Sequence, residues 1–281
     1  MNNNKLAFLY MMISTISFSL MGLFVRFSGE LPVYEKVFFR NLVLFIIITI
    51  TMIKSGNISF VGKKENRKLL ILRSVFGLLG VYFFFFAIDN LCLSDSNVLS
   101  KTSTFFVSIF SMIILKDKIA KNTLIMMILG FIGAVLIIKP QFDYSVLPAV
   151  SGVTSAMFAG LAYTIISKIN KREKGETIIF YFSAISIIGT LPLFLYDFVM
   201  PTPTQFINLL MVGIFAAGGQ YFLTFAYRVG NAPKTSIVNF VGVVVSLLLG
   251  VIFFNEIPDV LSIIGTAVII FSVFWLYKSK K

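Results

Sequence analysis

The sequence predicts an all-α integral membrane protein with ten transmembrane helices, arranged as two inverted five-helix repeats with both termini cytoplasmic. Three observations lead there. Of 281 residues, 58% are hydrophobic and only 13% charged, about half the charged share of an ordinary soluble domain, and mean hydropathy is +0.94. Lys and Arg gather on every second connection between apolar runs. The chain also matches itself when displaced by 139 residues.

A spanning helix needs about 20 mostly apolar residues to cross about 30 Å of hydrocarbon. That ruler marks ten runs, at about 6–27, 33–53, 69–90, 94–115, 120–138, 146–167, 177–197, 205–228, 233–254 and 257–277. The first follows Lys5, is too long for the apolar core of a signal peptide, and ends at Val25-Arg26 without a small-residue cleavage site, so it reads as a retained helix. Runs such as 78–88 are apolar throughout rather than alternating, which favours helices over a membrane barrel. The connections are short, with 56–68 and 170–176 the most hydrophilic, and leave no room for a separate soluble domain. Gly152, Ala156 and Gly160 give the sixth helix a small-residue edge for close packing. Pro192 bends the seventh helix, and Pro233 sits in the first turn of the ninth, where proline is tolerated.

Orientation follows from the cations. Eighteen of the 24 Lys and Arg residues fall on the side of the two termini, in 54–68, 116–121, 168–174 and 228–234 and at the ends of the chain. Only Arg26, Lys36 and Lys139 fall on the other, and Arg40, Arg73 and Lys101 lie within helices. The net charge of +12 is therefore a topology signal that anionic lipid headgroups answer, and no nucleic acid is required. A single cysteine, Cys92, and the lack of histidine leave no disulfide, no Cys/His metal site and no cofactor expected.

At the offset of 139, Gly80 meets Gly219, Tyr82 meets Tyr221, Phe83 meets Phe222, Phe86 meets Phe225 and Ala87 meets Ala226, five identities in eight positions. Asp117 falls opposite Glu256 and Lys139 opposite Lys278. Repeats of 1–140 and 141–281 each hold five helices, and an odd number inserts the second copy upside down, placing Asp117 inside and Glu256 outside. Inverted repeats are how many secondary transporters enclose one midplane site between two gates.

With Phe39-Arg40-Asn41-Leu42 in the second helix, Arg73 opening the third, Ala87 followed by Ser94-Asp95-Ser96, and Leu115-Lys116-Asp117 and Phe254-Asn255-Glu256 ending the fourth and ninth, the chain resembles the EamA-type transporters of the drug/metabolite transporter superfamily. The resemblance covers the full length. It implies ten helices in two repeated five-helix units and movement of small metabolites such as amino acids, nucleobases or amines. Asp117 stands where the family usually has Glu, and Thr104 near a usual mid-helix proline.

Charges at membrane depth need a reason, since each costs about 2.5–3.5 kcal/mol even on insertion scales. Arg40 and Lys101 each lie seven residues from the outer start of their helices, about 10 Å deep. Arg73, four residues from the inner edge, is expected to snorkel to headgroups. All twelve acids, from Glu30 to Asp259, sit in connections or within about two residues of a helix end. Without a midplane acid, proton or sodium coupling of the usual kind is disfavoured, and a substrate anion is expected beside Arg40 and Lys101 unless Glu35 or Asp95 reaches them. Asn97, Thr104 and Ser108 extend a polar stripe through Lys101, while Gln220, Thr224 and Tyr227 recur at i, i+4 and i+7 on one face of the eighth helix. Asn239, Tyr82, Tyr163, Ser14, Ser17 and Ser155 are further candidates, each also explicable as an interhelical hydrogen bond.

These residues suit a secondary carrier in the cell membrane for a small organic metabolite bearing an anionic group, such as an amino acid, and with lipids and the substrate as partners. A cationic or planar solute of choline, nucleobase or S-adenosylmethionine type is the alternative within transport. A channel or scaffolding subunit is the alternative outside it, and a homodimer is compatible with either. No acid–base pair or nucleophile arrangement supports an enzyme.

Overall fold

A computed structural model describes residues 3–56, 59–90, 99–138, 146–169, 172–255 and 257–278. Helices α1 (Asn3–Phe27), α2 (Val33–Lys54) and α3 (Arg67–Asn90) are followed by α4 (Leu99–Leu115), α5 (Lys121–Ile138) and α6 (Val146–Ile169). Then come α7 (Gly175–Tyr196), α8 (Pro203–Val229), α9 (Ala232–Phe254) and α10 (Val260–Lys278). There are no strands among the described residues. Among the described residues, seven helices, α1, α2 and α6 to α10, are long and apolar enough to cross a bilayer, whereas the apolar stretches of α4 and α5 are shorter.

The outer faces are apolar: Ile113, Ile188, Leu195 and Ile252 are each 68–70% exposed, a surface that only lipid would cover comfortably. Within the helices, hydroxyls turn back on their own backbone. Thr15, Thr51, Ser74, Thr164, Thr190, Thr224 and Thr266 each donate to the carbonyl four residues earlier. In hydrocarbon such a bond removes the cost of a donor that has no water.

The two halves pack alike. The principal pairings are α1 with α8 and α3 with α6, α2 with α8 and α3 with α7, α4 with α6 and α1 with α9, and the self-matched pairs α2 with α7 and α5 with α10. Exchanging each helix for the one five places away maps this set onto itself. The only non-glycine residues with positive φ among those described are Lys116 (φ 59°) and Asn255 (φ 53°), 139 positions apart. Each is the left-handed residue that ends its helix, α4 and α9 respectively. Just beyond Lys116, burial pushes the Asp117 carboxyl above the ordinary carboxylate range.

Helices α2 and α7 run antiparallel, and each end of the pair is tied by hydrogen bonds. At one end the Tyr34 hydroxyl donates to Asp197 Oδ2 (2.5 Å), and Glu35 Oε2 accepts from the Val199 amide (3.2 Å). At the other, Glu173 Oε1 accepts from the Lys63 amide (2.8 Å) and Asn66 Nδ2 (2.7 Å). Thr177 donates there to the Ser59 carbonyl and Tyr181 to that of Val61. In both places a connection of one half folds onto α2 or α7 of the other. The α5–α10 contact is backbone to backbone, since a Cβ on Gly133 would stand 2.7 Å from the Gly265 carbonyl oxygen and one on Gly265 would stand 2.6 Å from that of Gly133.

Gly133→Ala is expected to force α5 and α10 apart and lower stability by about 1–3 kcal/mol, measured as the thermal midpoint in detergent. Glu173→Ala leaves two donors without an acceptor and is expected to lower it by about 1–3 kcal/mol. An unchanged midpoint would contradict either assignment.

Candidate functional site

Helix α4 is interrupted near its described start. Its first residues, Leu99 to Lys101, are helical, the turn at Thr102 donates from Oγ1 to the Leu99 carbonyl (2.5 Å), and regular helix resumes over Ser103–Phe110 before a wider π-type turn at Ser111–Leu115. Helix α9 is interrupted too, by a tight 3₁₀ turn at Val238–Phe240. The repeat offset carries Lys101 onto Phe240, so both interruptions fall at corresponding places. Such breaks loosen the backbone hydrogen-bond ladder where a helix lines a functional position.

Lys101 sits at this break. Its Nζ lies 3.8 Å from where a Cβ on Gly242 would stand, and Thr15 and Ser19 of α1 border the same spot. Ser19 donates to the Gly242 carbonyl (3.1 Å) and Thr104 to that of Ser236 (3.3 Å), which joins α1 and α4 to α9 around the lysine. No described carboxylate pairs with Lys101.

A second group forms around Tyr163 of α6. Arg40 of α2 and Arg73 of α3 both lie within electrostatic range of the Tyr163 ring hydroxyl and of each other. Arg40 is 7% exposed and bonds only its neighbour Asn41, at 3.4 Å. Arg73 is 1% exposed, its guanidinium carbon is 4.1 Å from the Phe182 ring centre, and its Nε and Nη1 find no acceptor. Tyr163 stacks on Tyr227 at 5.1 Å between ring centres, and the buried Tyr227 hydroxyl faces Asn239 without completing a hydrogen bond of good geometry.

The structure thus stacks Tyr163 on Tyr227 with Asn239 and Arg40 nearby, and seats Lys101 against Gly242, one turn along α9 from Asn239. The α8 stripe is buried at all three positions, Gln220, Thr224 and Tyr227, with Gln220 Nε2 donating to Thr224 Oγ1 (3.2 Å). Tyr82 donates to the Gly189 carbonyl of α7 (3.0 Å), Ser155 to that of Gly80 (2.7 Å) and Ser14 to that of Gly219 (2.7 Å), each tying one helix to another. Asn97, Asp95, Lys139 and Glu256 lie outside the described residues. Glu35 pairs with none of these cations: Oε2 accepts from the Val199 amide, and Oε1 is buried without a hydrogen-bond partner.

Arg73 is the residue that sequence reasoning misplaced. It does not snorkel, because the connection between α2 and α3 folds over that end, with Gly62 against Leu70 and the Lys64–Asn66 turn held by Glu173. The available signal was Gly77 one turn later, where a Cβ would come within 2.9 Å of Phe182 and 3.4 Å of Arg73 Nη1. The described residues hold no cluster of metal-ligating side chains. What the arrangement offers chemically is hydrogen-bond donors and positive charge, with Arg40 and Arg73 buried and Lys101, Tyr163 and Asn239 half-buried.

The fold has a solved counterpart: a crystal structure with TM-score 0.83 that covers 96% of both chains at 14% identity. Among relatives, the pseudopaline exporter CntI of Pseudomonas aeruginosa is 32% identical, over 99% of this chain and 98% of its own. Human solute carrier family 35 member G1 is 27% identical over 90% of this chain and 73% of its own length. An S-adenosylmethionine uptake transporter of Rickettsia prowazekii is 22% identical over 97% and 92%. The sequence profile of the EamA-like transporter family matches twice, at residues 5–139 and 147–278, once for each of the two similarly packed halves. With both matches spanning nearly the whole chain, this protein belongs to the EamA-like transporter family.

Proposed function

We propose that this transporter-family protein is a secondary carrier, independent of ATP, that moves a small organic metabolite with an anionic group across the cell membrane by alternating access. On this reading all of α1 to α10 span the bilayer, both termini are cytoplasmic, and 1–140 and 141–281 are the two inverted halves. The carrying observation is the pair of equivalent ties, Tyr34 and Glu35 to 197–199 at one end and Glu173, Thr177 and Tyr181 to 59–66 at the other. Each is a handful of hydrogen bonds worth about 1 kcal/mol apiece, and so is weak enough to open alone. The interrupted α4 and α9 and the buried cations lie between them.

The solute's chemistry is read from the interior. Lys101, Arg40 and the Gln220–Thr224–Tyr227 face of α8 form the proposed binding surface, with Tyr163 and Asn239 completing it and Asn97 and Tyr82 at its margin. A purely cationic solute would meet unneutralised positive charge there, whereas an anionic group removes a repulsion and supplies missing acceptors.

Reconstituted in proteoliposomes and screened against amino acids, organic acids, nucleobases and quaternary amines, the protein is expected to carry an anionic solute. Lys101→Ala and Gln220→Ala should each reduce that flux about tenfold or more, the equivalent of about 1.4 kcal/mol, with helical content and yield unchanged. Flux equal to the unsubstituted protein in both variants would remove these residues from the site.

A further inference from the structure

Two sets of uncompensated cations occupy different parts of the interior. Lys101 belongs with α1, α4 and α9, beside Thr15, Ser19 and Gly242. Arg40 and Arg73 belong with α2, α3, α6 and α7, around Tyr163 and beneath Phe182. Arg73 lies against Phe182 of α7, whereas the Lys101 Nζ lies against α1 and α9. A single anion seated at one set leaves the other unanswered.

Arg73 is the most demanding member. A guanidinium presents five N–H donors and cannot lose its charge by deprotonation. At 1% exposure it has no water to use, and Nε and Nη1 lack acceptors. The Phe182 ring offsets part of the charge from one face and supplies no acceptor in the guanidinium plane. Gly77 lets Phe182 pack close beside Nη1, since a Cβ there would stand 2.9 Å from the Phe182 ring and 3.4 Å from Nη1. Arg40, also buried, has only a long bond to Asn41. The missing partner is an oxygen anion, and a planar carboxylate fits a pair of guanidinium forks.

We infer that Arg73, with Arg40 and Tyr163, forms a carboxylate subsite distinct from the one at Lys101, and that the transported solute is a dicarboxylate whose two ends occupy the two subsites. This rests on the carrier reading for its transport consequence, but the subsites are defined by binding alone. Arg73 touches the solute directly and sets which chain lengths are accepted.

The test is equilibrium binding to the full chain in nanodiscs at constant ionic strength, by titration calorimetry with the straight-chain dicarboxylates from succinate to sebacate and with butyrate and hexanoate as single-carboxylate controls. One or two adjacent chain lengths are expected to bind at least tenfold more tightly than the controls. Arg73→Gln and Lys101→Gln should each bring that dicarboxylate down to the control level, and Arg73→Lys, which keeps the charge and loses the fork, should fall between. Equal binding of all acids to the unsubstituted protein overturns the proposal without needing a variant, as does a chain-length preference that Arg73→Lys leaves intact. Arg73-dependent binding with no proteoliposome flux would keep the subsite and refute the carrier. Flux of other solutes unaffected by Arg73→Lys would keep the carrier and refute the subsite.

Discussion

A hydrocarbon solvent supplies neither hydrogen bonds nor counterions, and every polar group in this protein answers to that constraint. Many hydroxyls satisfy it locally by donating to carbonyls four residues back, or laterally, as Ser14 does to Gly219 and Ser155 to Gly80, while those of Thr49, Ser111, Ser186 and Tyr227 are buried without a partner. The bonds that form use up many of the small polar groups and hold neighbouring helices in register. The cations cannot be treated in the same way. A guanidinium or ammonium needs several acceptors at once and a compensating charge, and the twelve acids of the chain are placed in connections and at helix ends. Arg40, Arg73 and Lys101 are therefore the points at which the fold, taken alone, is electrostatically incomplete.

The second constraint is symmetry. The helix contacts map onto themselves when the halves are exchanged, and the left-handed caps at Lys116 and Asn255 recur at the repeat spacing. Asparagine tolerates that conformation readily, and lysine less so, which is the mark of a geometry imposed by the second copy of a common plan. The chemistry inside is not symmetric. Lys101 corresponds to Phe240, Gln220 to Val81, and Arg40 to Ile179. A symmetric frame around an asymmetric interior is what separates the parts that close the ends from those that would select a solute.

Much of this was legible in the sequence, and the limits are physical. Among the described residues the apolar runs coincide with helices, because run length and lack of charge are properties of the chain itself. The burial of Gln220, Thr224 and Tyr227 followed from a period that fixes one face. Arg73 was misread because distance from a helix end says nothing about what lies over that end. Here the 59–66 connection does, drawn down by Glu173, Thr177 and Tyr181 from the other half. The break at Thr102 was equally hidden, since no proline or glycine marks it, and the stack of Tyr163 on Tyr227 joins residues 64 apart.

The ties at the two ends also bear on how the interior would open. One tie uses two carboxyl groups, Asp197 accepting from the Tyr34 hydroxyl and Glu35 from the Val199 amide, and the other uses Glu173 with two hydroxyl-to-carbonyl bonds; such bonds exchange with water at little net cost once the end is wet. The interior contacts are of another kind: glycine faces at Gly133 and Gly265, or Gly80 against Ser155 and Ala159, where backbones touch and cannot be rewetted. Opening one end therefore costs least if the halves pivot about the α5–α10 and glycine contacts while a single set of ties releases. Because α2 carries one set, α7 the other, and the two helices pack on each other, releasing one set shifts the helix that holds the other. On the proposed mechanism that shared pair couples the two ends, and the solute tips the balance between them only insofar as Arg40, Arg73 and Lys101 grip it differently in the two states.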